Sequence, residues 1–154
     1  MPDKRSLLKF LPVSLNITDK KILIIGGGKV ASHKLAGIKC YSENITVLAP
    51  DVNEDIIKDP ELRTVIKYYE KSDLQNFDII YACTNDHETN TLIKKDAVSM
   101  GKLVNVADNP ELCDFISPAI HREGIMTVAV CSNARDVKGS INLRNRIKDF
   151  LQND

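Results

Sequence analysis

Residues 22–31 of the chain read Ile22-Leu23-Ile24-Ile25-Gly26-Gly27-Gly28-Lys29-Val30-Ala31. The four apolar residues end abruptly at the glycines, which is typical of a strand buried on both faces in a parallel sheet. After the glycines, Ala31, Leu35 and Ile38 recur at the spacing of one helix face. This stretch therefore predicts a buried strand, a tight turn and an amphipathic helix.

The alternation of strands and helices continues along the chain. Apolar runs predict four further strands, and helix-forming stretches at residues 53–58 and from Asp86 to Met100 lie between them. This rhythm is typical of an open, mostly parallel sheet covered by helices. We predict an α/β fold with a Rossmann-like doubly wound parallel sheet, whose further strands fall at 45–48, 64–69, 77–83 and 103–106.

The pattern changes after Asp108. Residues 115–120 and 125–131 predict two extended segments separated by a turn at 121–124. Residues 140–151 predict a final helix with Leu143, Ile147, Phe150 and Leu151 on one face. We place a boundary near residue 112, which divides the chain into a main domain at 1–112 and an appendage at 113–154.

Composition and charge limit the classes of protein. The 154 residues hold 21 Lys and Arg against 21 Asp and Glu, and this zero net charge argues against a general nucleic-acid or membrane-surface binder. No run approaches the ~20 apolar residues that span a bilayer, and we expect no secretion signal, because Lys9, Pro12, Ser14 and Asn16 interrupt the apolar residues near the N-terminus. We expect a cytoplasmic protein with reduced cysteines at Cys40, Cys83, Cys113 and Cys131, of which Cys83 and Cys131 end apolar runs and should be buried.

The glycine motif Gly26-x-Gly28-x-x-Ala31 predicts a dinucleotide site. In such sites the first glycine makes a tight turn, the second lets the backbone approach a pyrophosphate, and a small third residue allows close packing of helix and strand. The helix N-terminus adds free N–H groups and a partial positive charge. The alternative is a tight turn with no ligand, but the strand-turn-helix context favours nucleotide binding.

Two further segments are candidates for contacts with the cofactor. Asp51 lies about 20 residues beyond the glycine turn, where an acid often binds the adenosine ribose hydroxyls, although a solvated loop acid is the alternative. No arginine follows closely to bind a 2′-phosphate, which favours NAD over NADP. Thr84-Asn85-Asp86 follows the fourth predicted strand at the edge where open α/β sheets bind ligands, and it also caps the next helix.

The segment Asn105-Val106-Ala107-Asp108 follows the fifth predicted strand. A carboxylate there should face the nicotinamide end of a bound dinucleotide, so Asp108 is the candidate catalytic residue. The alternative is a turn aspartate beside Asn109-Pro110. The three histidines, at 33, 87 and 121, are far apart, so we predict no metal site.

Together these motifs resemble the siroheme synthase N-terminal family of precorrin-2 dehydrogenases, some of which are also sirohydrochlorin ferrochelatases. The resemblance spans about residues 11–131 and is far more specific than the glycine motif alone. It is carried by Leu11-Pro12-x-x-Leu15, the glycine stretch through Lys34, Val47-Leu48-Ala49-Pro50, Ala82-Cys83-Thr84-Asn85-Asp86 with Asn90, Val104-Asn105-Val106-Ala107-Asp108, Cys113-Asp114-Phe115-Ile116-Ser117-Pro118-Ala119 and Thr127-Val128-Ala129-Val130.

The resemblance implies an NAD-binding Rossmann domain at 1–112 and, at 113–154, a dimerisation segment with a terminal helix that pairs two chains as a homodimer. It implies NAD-dependent oxidation of the tetrapyrrole precorrin-2 to sirohydrochlorin in siroheme biosynthesis. Asp108 would be catalytic, and Asn105 and Ser132 would bind substrate. The cofactor would be bound by Gly26, Gly28, Lys29, Val30, Ala31, Pro50, Asp51, Thr84 and Asn85.

Two questions stay open at this point. Residues 132–140 replace a Ser-x-Gly-Gly-x-Ser-Pro-like loop of the family, so the residues do not decide whether Fe²⁺ is a second substrate for chelation. One alternative is another small NAD oxidoreductase that acts on an unrelated substrate. The alternative from another class is a ligand-sensing NAD-binding domain that regulates potassium transport. Such domains place an acid immediately at the end of the second strand, where this chain has Leu48-Ala49-Pro50.

Overall fold

The computed structural model describes residues 7–152. Five strands form a parallel sheet, and three helices follow the first, second and fourth of them. The strands are β1 (Ile22–Ile25), β2 (Ile45–Ala49), β3 (Arg63–Ile66), β4 (Ile79–Ala82) and β5 (Leu103–Val106), and the helices are α1 (Lys29–Ile38), α2 (Glu54–Ile57) and α3 (His87–Ser99). Two 3-10 turns, Lys71–Leu74 and Pro110–Leu112, complete this part of the chain.

The strand order is β3-β2-β1-β4-β5, and every neighbouring pair is parallel. The chain winds outward from β1 to β3 and then returns to β4 on the other side of β1. The carboxyl ends of β1 and β4 therefore form the topological switch point at which such sheets bind ligands. The predicted α/β Rossmann-like sheet is confirmed.

The core lies on both faces of β1, whose four residues are each at most 2% exposed. Ile22 and Ile24 pack on one face with Ala31 and Leu35 of α1. On the other face, Leu23 and Ile25 pack with residues of α3, among them Ile93 and Ala97. Burial on both faces explains why the β1 sequence is continuously apolar instead of alternating.

Contacts divide the chain into two compact units. One unit is Val13–Phe115, and the other combines the stretch up to Pro12 with the chain from Ile116 onward. In the second unit, β6 (Ala119–Glu123) and β7 (Met126–Val130) form an antiparallel hairpin, and α4 (Val137–Gln152) packs against both strands. Division into domains at 1–112 and 113–154 stays a prediction.

Several element boundaries differ from those predicted, among them the start of β6, which is Ala119 instead of residue 115. The hairpin turn is Gly124-Ile125, because residues 121–123 pair with β7 and Gly124 supplies the left-handed conformation of the turn (φ +56°). β3 ends at Ile66 instead of residue 69. α4 begins at Val137 instead of residue 140, because Asp136 accepts a hydrogen bond from the Gly139 amide (2.7 Å) and caps the helix.

Of the four cysteines, Cys83 is buried, Cys113 is half-buried, and Cys40 and Cys131 are exposed. Cys83 is 4% exposed at the end of β4, as predicted, whereas Cys131 is exposed. The prediction for Cys131 was wrong because the hairpin that it follows is a two-stranded sheet and not a covered central strand.

Within residues 7–152, no helix is both long and apolar enough to cross a bilayer. The same residues hold no group of three or more His, Cys, Asp or Glu suited to a metal ion.

We expect Cys83 to resist alkylation in the folded protein. Burial raises the pKa of its thiol to about 12, so almost no thiolate is present at about pH 8, whereas Cys40 is exposed. Iodoacetamide should modify Cys40 in the native protein and Cys83 only after denaturation, as measured by peptide mass spectrometry. Cys40→Ser is the control that removes the reaction at residue 40 and leaves the reaction of the exposed Cys131. Modification of native Cys83 as fast as Cys40 would contradict the packing of β4.

Candidate functional site

A cavity of about 600 Å³ opens at the carboxyl edge of the sheet, within the unit Val13–Phe115. Its wall combines the turn after β1, the end of β2, the loop after β4 and two tyrosines that follow β3. It therefore lies at the switch point defined by the strand order. The lining residues are Ile25, Gly26, Gly27, Gly28, Leu48, Ala49, Pro50, Asp51, Asn53, Tyr68, Tyr69, Cys83, Thr84, Asn85, Asp86 and Thr89.

Two glycines of the turn have no space for a side chain. Gly26 has a φ of +128°, and a Cβ there would lie 2.3 Å from the Cys83 carbonyl oxygen. A Cβ on Gly27 would lie 2.3 Å from the Asp51 carbonyl oxygen and 2.7 Å from the Val52 Cα. No role was predicted for Gly27, although its place in a run of three glycines was a signal of one.

Gly28 differs from both of these neighbours. It is the N-cap of α1, and a Cβ built there meets no protein atom within 4 Å. The space beside it is therefore open at a helix N-terminus, where free N–H groups and the helix dipole favour a phosphate. The turn fits the pyrophosphate of a dinucleotide.

The first turn of α1 contributes differently from the glycines. Ala31 is fully buried in the core beneath the sheet, as its role in close packing of helix and strand requires. Lys29 is exposed and Val30 is 42% exposed. The described cavity wall includes none of these three residues, so their predicted contacts with the cofactor stay predictions.

Two carboxylates, those of Asp51 and Asp86, are among the groups that line the cavity. Asp51 and Pro50 are exposed at the end of β2, as sequence analysis placed them. Asp86 caps α3 by accepting a hydrogen bond from the Thr89 amide (3.0 Å), and contacts with Thr89 lower the pKa of its carboxyl. Among the described residues, those that line the cavity include no Lys or Arg.

Two tyrosines on the wall were not predicted as site residues. Tyr68 is 79% exposed, and Tyr69 donates a hydrogen bond to Asp96 Oδ2 (3.0 Å). Partial burial, together with that carboxylate, raises the pKa of Tyr69, so the hydroxyl stays protonated. Flat aromatic faces can stack on a planar base. These two wall residues were not predicted because β3 was expected to extend to residue 69.

A buried amide connects the loop after β4 to Asp108. Asn90 of α3 is 1% exposed. Its Oδ1 accepts hydrogen bonds from the Thr84 amide (3.2 Å) and the Thr84 hydroxyl (2.7 Å). Its Nδ2 donates to the Thr84 carbonyl (3.1 Å) and to Asp108 Oδ1 (3.2 Å).

The Asp108 carboxylate lies just beyond the end of β5, and its side chain is 30% exposed. The second carboxylate oxygen, Oδ2, contacts His87 Nδ1. His87 is the first residue of α3 and was not predicted as a site residue. The contact could not be read from the sequence, because it depends on β4 and β5 being neighbours in the sheet.

The two residues predicted to bind substrate have structural partners in their own units. Asn105 is 2% exposed and donates to the Phe115 carbonyl (2.9 Å), while its Oδ1 has no partner within residues 7–152. Ser132 lies in the other unit, where its hydroxyl accepts a hydrogen bond from the Asp136 amide (2.9 Å). Contact of either residue with substrate stays a prediction.

Lys34 of α1 lies on the same face of the sheet as Asn105. Its Nζ is 6.0 Å from the centroid of the Tyr81 ring, and Tyr81 pairs with Asn105 across β4 and β5. Burial lowers the pKa of Lys34, and the nearby thiols of Cys83 and Cys113 oppose that shift.

Comparison with known proteins agrees with this geometry. A family model described as "Putative NAD(P)-binding" matches residues 13–119. The chain is 34% identical over 143 residues to a siroheme synthase of Psychrobacter arcticus, covering 91% of this chain and 26% of that protein. It is 32% identical over 148 residues to a siroheme synthase of Nitrosomonas europaea, covering 94% of this chain and 31% of that protein. The chain thus spans about a quarter to a third of the length of these relatives.

A solved structure is also similar. The precorrin-2 dehydrogenase SirC superposes with a TM-score of 0.74 and 28% sequence identity, covering 94% of this chain and 70% of that one. These relatives give no support to the alternative of a ligand-sensing domain of potassium transport.

We expect Gly27 and Gly28 to respond differently to alanine. Gly28→Ala should fold normally and bind NAD⁺ at least about tenfold more weakly, because the methyl group projects into space suited to the pyrophosphate. Gly27→Ala should lower the free energy of unfolding, because its Cβ would collide with backbone. Thermal unfolding and calorimetric titration with NAD⁺ measure the two effects.

Gly37→Ala in α1 is the matched control. A Cβ at Gly37 meets nothing within 4 Å, so alanine should leave NAD⁺ affinity unchanged and stabilise the helix by about 0.5–1 kcal/mol. Equal NAD⁺ affinity of Gly28→Ala and the native chain would show that the open space beside Gly28 is not the phosphate site.

Proposed function

This chain belongs to the NAD(P)-binding family that matches residues 13–119, and on that basis we propose that it is an NAD-dependent precorrin-2 dehydrogenase. The observation that carries the proposal is the connection, through Asn90, between Thr84 on the cavity wall and the Asp108 carboxylate. A dinucleotide site and a partly exposed carboxylate at adjacent strand ends suit the removal of a hydride and a proton from one substrate. Similarity to SirC and to siroheme synthases supports the choice of precorrin-2.

The cavity residues would bind the cofactor in three parts. The Gly26–Gly28 turn and the N-terminus of α1 would bind the pyrophosphate. Asp51 would accept hydrogen bonds from the adenosine ribose hydroxyls, and the exposed ring of Tyr68 would stack on the adenine. Bound NAD⁺ would supply the hydride acceptor.

Asp108 would accept the proton that the macrocycle loses. Its two oxygens are held separately, Oδ1 by Asn90 and Oδ2 by His87, so the carboxylate has one orientation. Partial exposure of the side chain leaves it accessible to a substrate at the end of β5. Proton transfer to a positioned carboxylate raises the rate of such reactions by about 10²–10⁴-fold.

The second unit supports a homodimer. Ile125 is 95% exposed, Met126 69% and Phe150 66%, and exposed apolar side chains of this size often mark interfaces. The balanced charge and the thiol cysteines support a cytoplasmic enzyme.

An anaerobic assay with precorrin-2 and NAD⁺ tests the function. One NADH should form for each sirohydrochlorin, as measured by following NADH and macrocycle absorption together. Tight NAD⁺ binding with no turnover would reject the dehydrogenase. Addition of Fe²⁺ to the same sample then measures chelation separately.

Asp108→Asn should keep NAD⁺ affinity and lose turnover by about 10²–10⁴-fold, because the amide cannot accept the proton. The measurements are calorimetric NAD⁺ binding and the initial rate of NADH formation. Glu111→Gln, at an exposed acid nearby, is the control and should retain the native rate. Unchanged turnover in Asp108→Asn would remove Asp108 from the mechanism.

The protein should prefer NAD⁺ to NADP⁺ by at least about tenfold in dissociation constant, or about 1.4 kcal/mol. A 2′-phosphate would approach Asp51 on a wall whose described residues include no Lys or Arg. Asp51→Asn should narrow the preference by strengthening NADP⁺ binding. Asp55→Asn, at an exposed acid of α2 outside the cavity wall, should leave the ratio unchanged. Equal affinities in the native protein would contradict the assignment of Asp51.

A further inference from the structure

We propose that Asn90 is a positioning residue that holds the Asp108 carboxylate in a fixed relation to the cofactor loop. Cofactor binding and proton transfer would then depend on the same buried amide. The inference rests on the proposed function, in which Asp108 accepts a proton and Thr84 lines the cofactor cavity.

The hydrogen bonds of Asn90 use its whole capacity. An amide side chain has two acceptor sites on oxygen and two N–H donors, and here all four have a partner. The Thr84 hydroxyl lies 2.7 Å from Asn90 Oδ1 and 3.0 Å from the Asp86 carbonyl. Three bonds hold Thr84, through its amide, hydroxyl and carbonyl, and the fourth reaches Asp108. An aspartate at this position could accept from Thr84 but could not donate to the Thr84 carbonyl or to Asp108.

Burial makes this arrangement rigid. Asn90 is 1% exposed, so water does not compete for its bonds, and an unmet polar group at that depth is costly. Asparagine is also a poor residue for a helix interior, yet it occupies the second turn of the 13-residue helix α3. A buried residue with poor helix propensity inside a helix is expected where a functional site requires that particular side chain.

If Asn90 had only a structural role, its hydrogen bonds would reach no further than Thr84. Its three bonds with Asn90 would by themselves shape the loop between β4 and α3. The bond to Asp108 is not part of that loop, since it joins α3 to the segment after β5. That fourth bond is the reason for assigning Asn90 to the site and not only to the loop.

Asn90→Ala and Asn90→Asp test the proposal, with Ile93→Val as the matched control. Ile93 is fully buried on the same helix, so its truncation weakens packing without touching the polar bonds. Three properties are measured for each variant: NAD⁺ affinity by calorimetry, the pH dependence of kcat, and the NMR resonances of the His87 ring in cofactor-free protein. The His87 ring reports the placement of Asp108 without turnover, because the two side chains are in contact.

In Asn90→Ala we expect kcat to fall by about 10- to 100-fold, because a small displacement of a catalytic group has an effect of this size. NAD⁺ should bind more weakly, and the His87 resonances should move. Asn90→Asp keeps the side-chain size but places a second carboxylate beside the first, so the acid limb of the pH profile should move to higher pH by about one unit or more. Ile93→Val should melt at a lower temperature and keep the native pH profile, NAD⁺ affinity and His87 resonances.

Three results would each overturn the inference. They are a kcat within twofold of native in folded Asn90→Ala, an unchanged acid limb in Asn90→Asp, and unchanged His87 resonances in both. Absence of NADH formation by the native protein would instead reject the proposed function. The NAD⁺ affinity and His87 measurements would still decide whether Asn90 couples the two segments.

Discussion

Three segments of backbone meet after β1 at distances that leave no room for a side chain. Gly26 lies against the carbonyl that ends β4, and Gly27 lies against the backbone that follows β2. The Gly27 carbonyl also accepts a hydrogen bond from the Asn53 amide (2.8 Å). These contacts hold the ends of three strands together at the switch point of the sheet. The cavity is therefore shaped first by main chain, and its side chains are added to a rigid frame.

The chemistry of the site follows from that frame. Because β4 is held against the glycine turn, the loop after β4 has a defined path, and α3 begins at a fixed place. Since β5 pairs with β4, the segment containing Asp108 emerges beside the start of α3. His87 and Asn90 of that helix can then reach the two oxygens of one carboxylate. Residues distant in sequence share a site because parallel strands end at one edge.

The sequence was most informative where one local pattern had one physical cause. The apolar run at 22–25 and the glycines after it predicted β1, its turn and α1, and Asp86 was correctly placed as the cap of α3. Contacts between segments could not be predicted in this way. The clash behind Gly27 needs the position of Asp51, and the role of His87 needs the position of Asp108. The exposure of Cys131 likewise depends on its place just after a two-stranded hairpin, which an apolar run does not reveal.

The chain passes from β3 to β4 without a helix, and this has a consequence for the aromatic wall of the cavity. In the crossover, Leu74 of the 3-10 turn is fully buried, and Lys67 is paired with Glu70 (2.8 Å) and Asp73 (3.0 Å). Ion pairs near the surface contribute little and weaken with salt. Tyr68 and Tyr69 are carried by this segment, so amide hydrogen exchange should reach their backbone long before it reaches β1. Raised ionic strength should then loosen this part of the cavity wall only slightly, apart from its effect on the charge of the ligand.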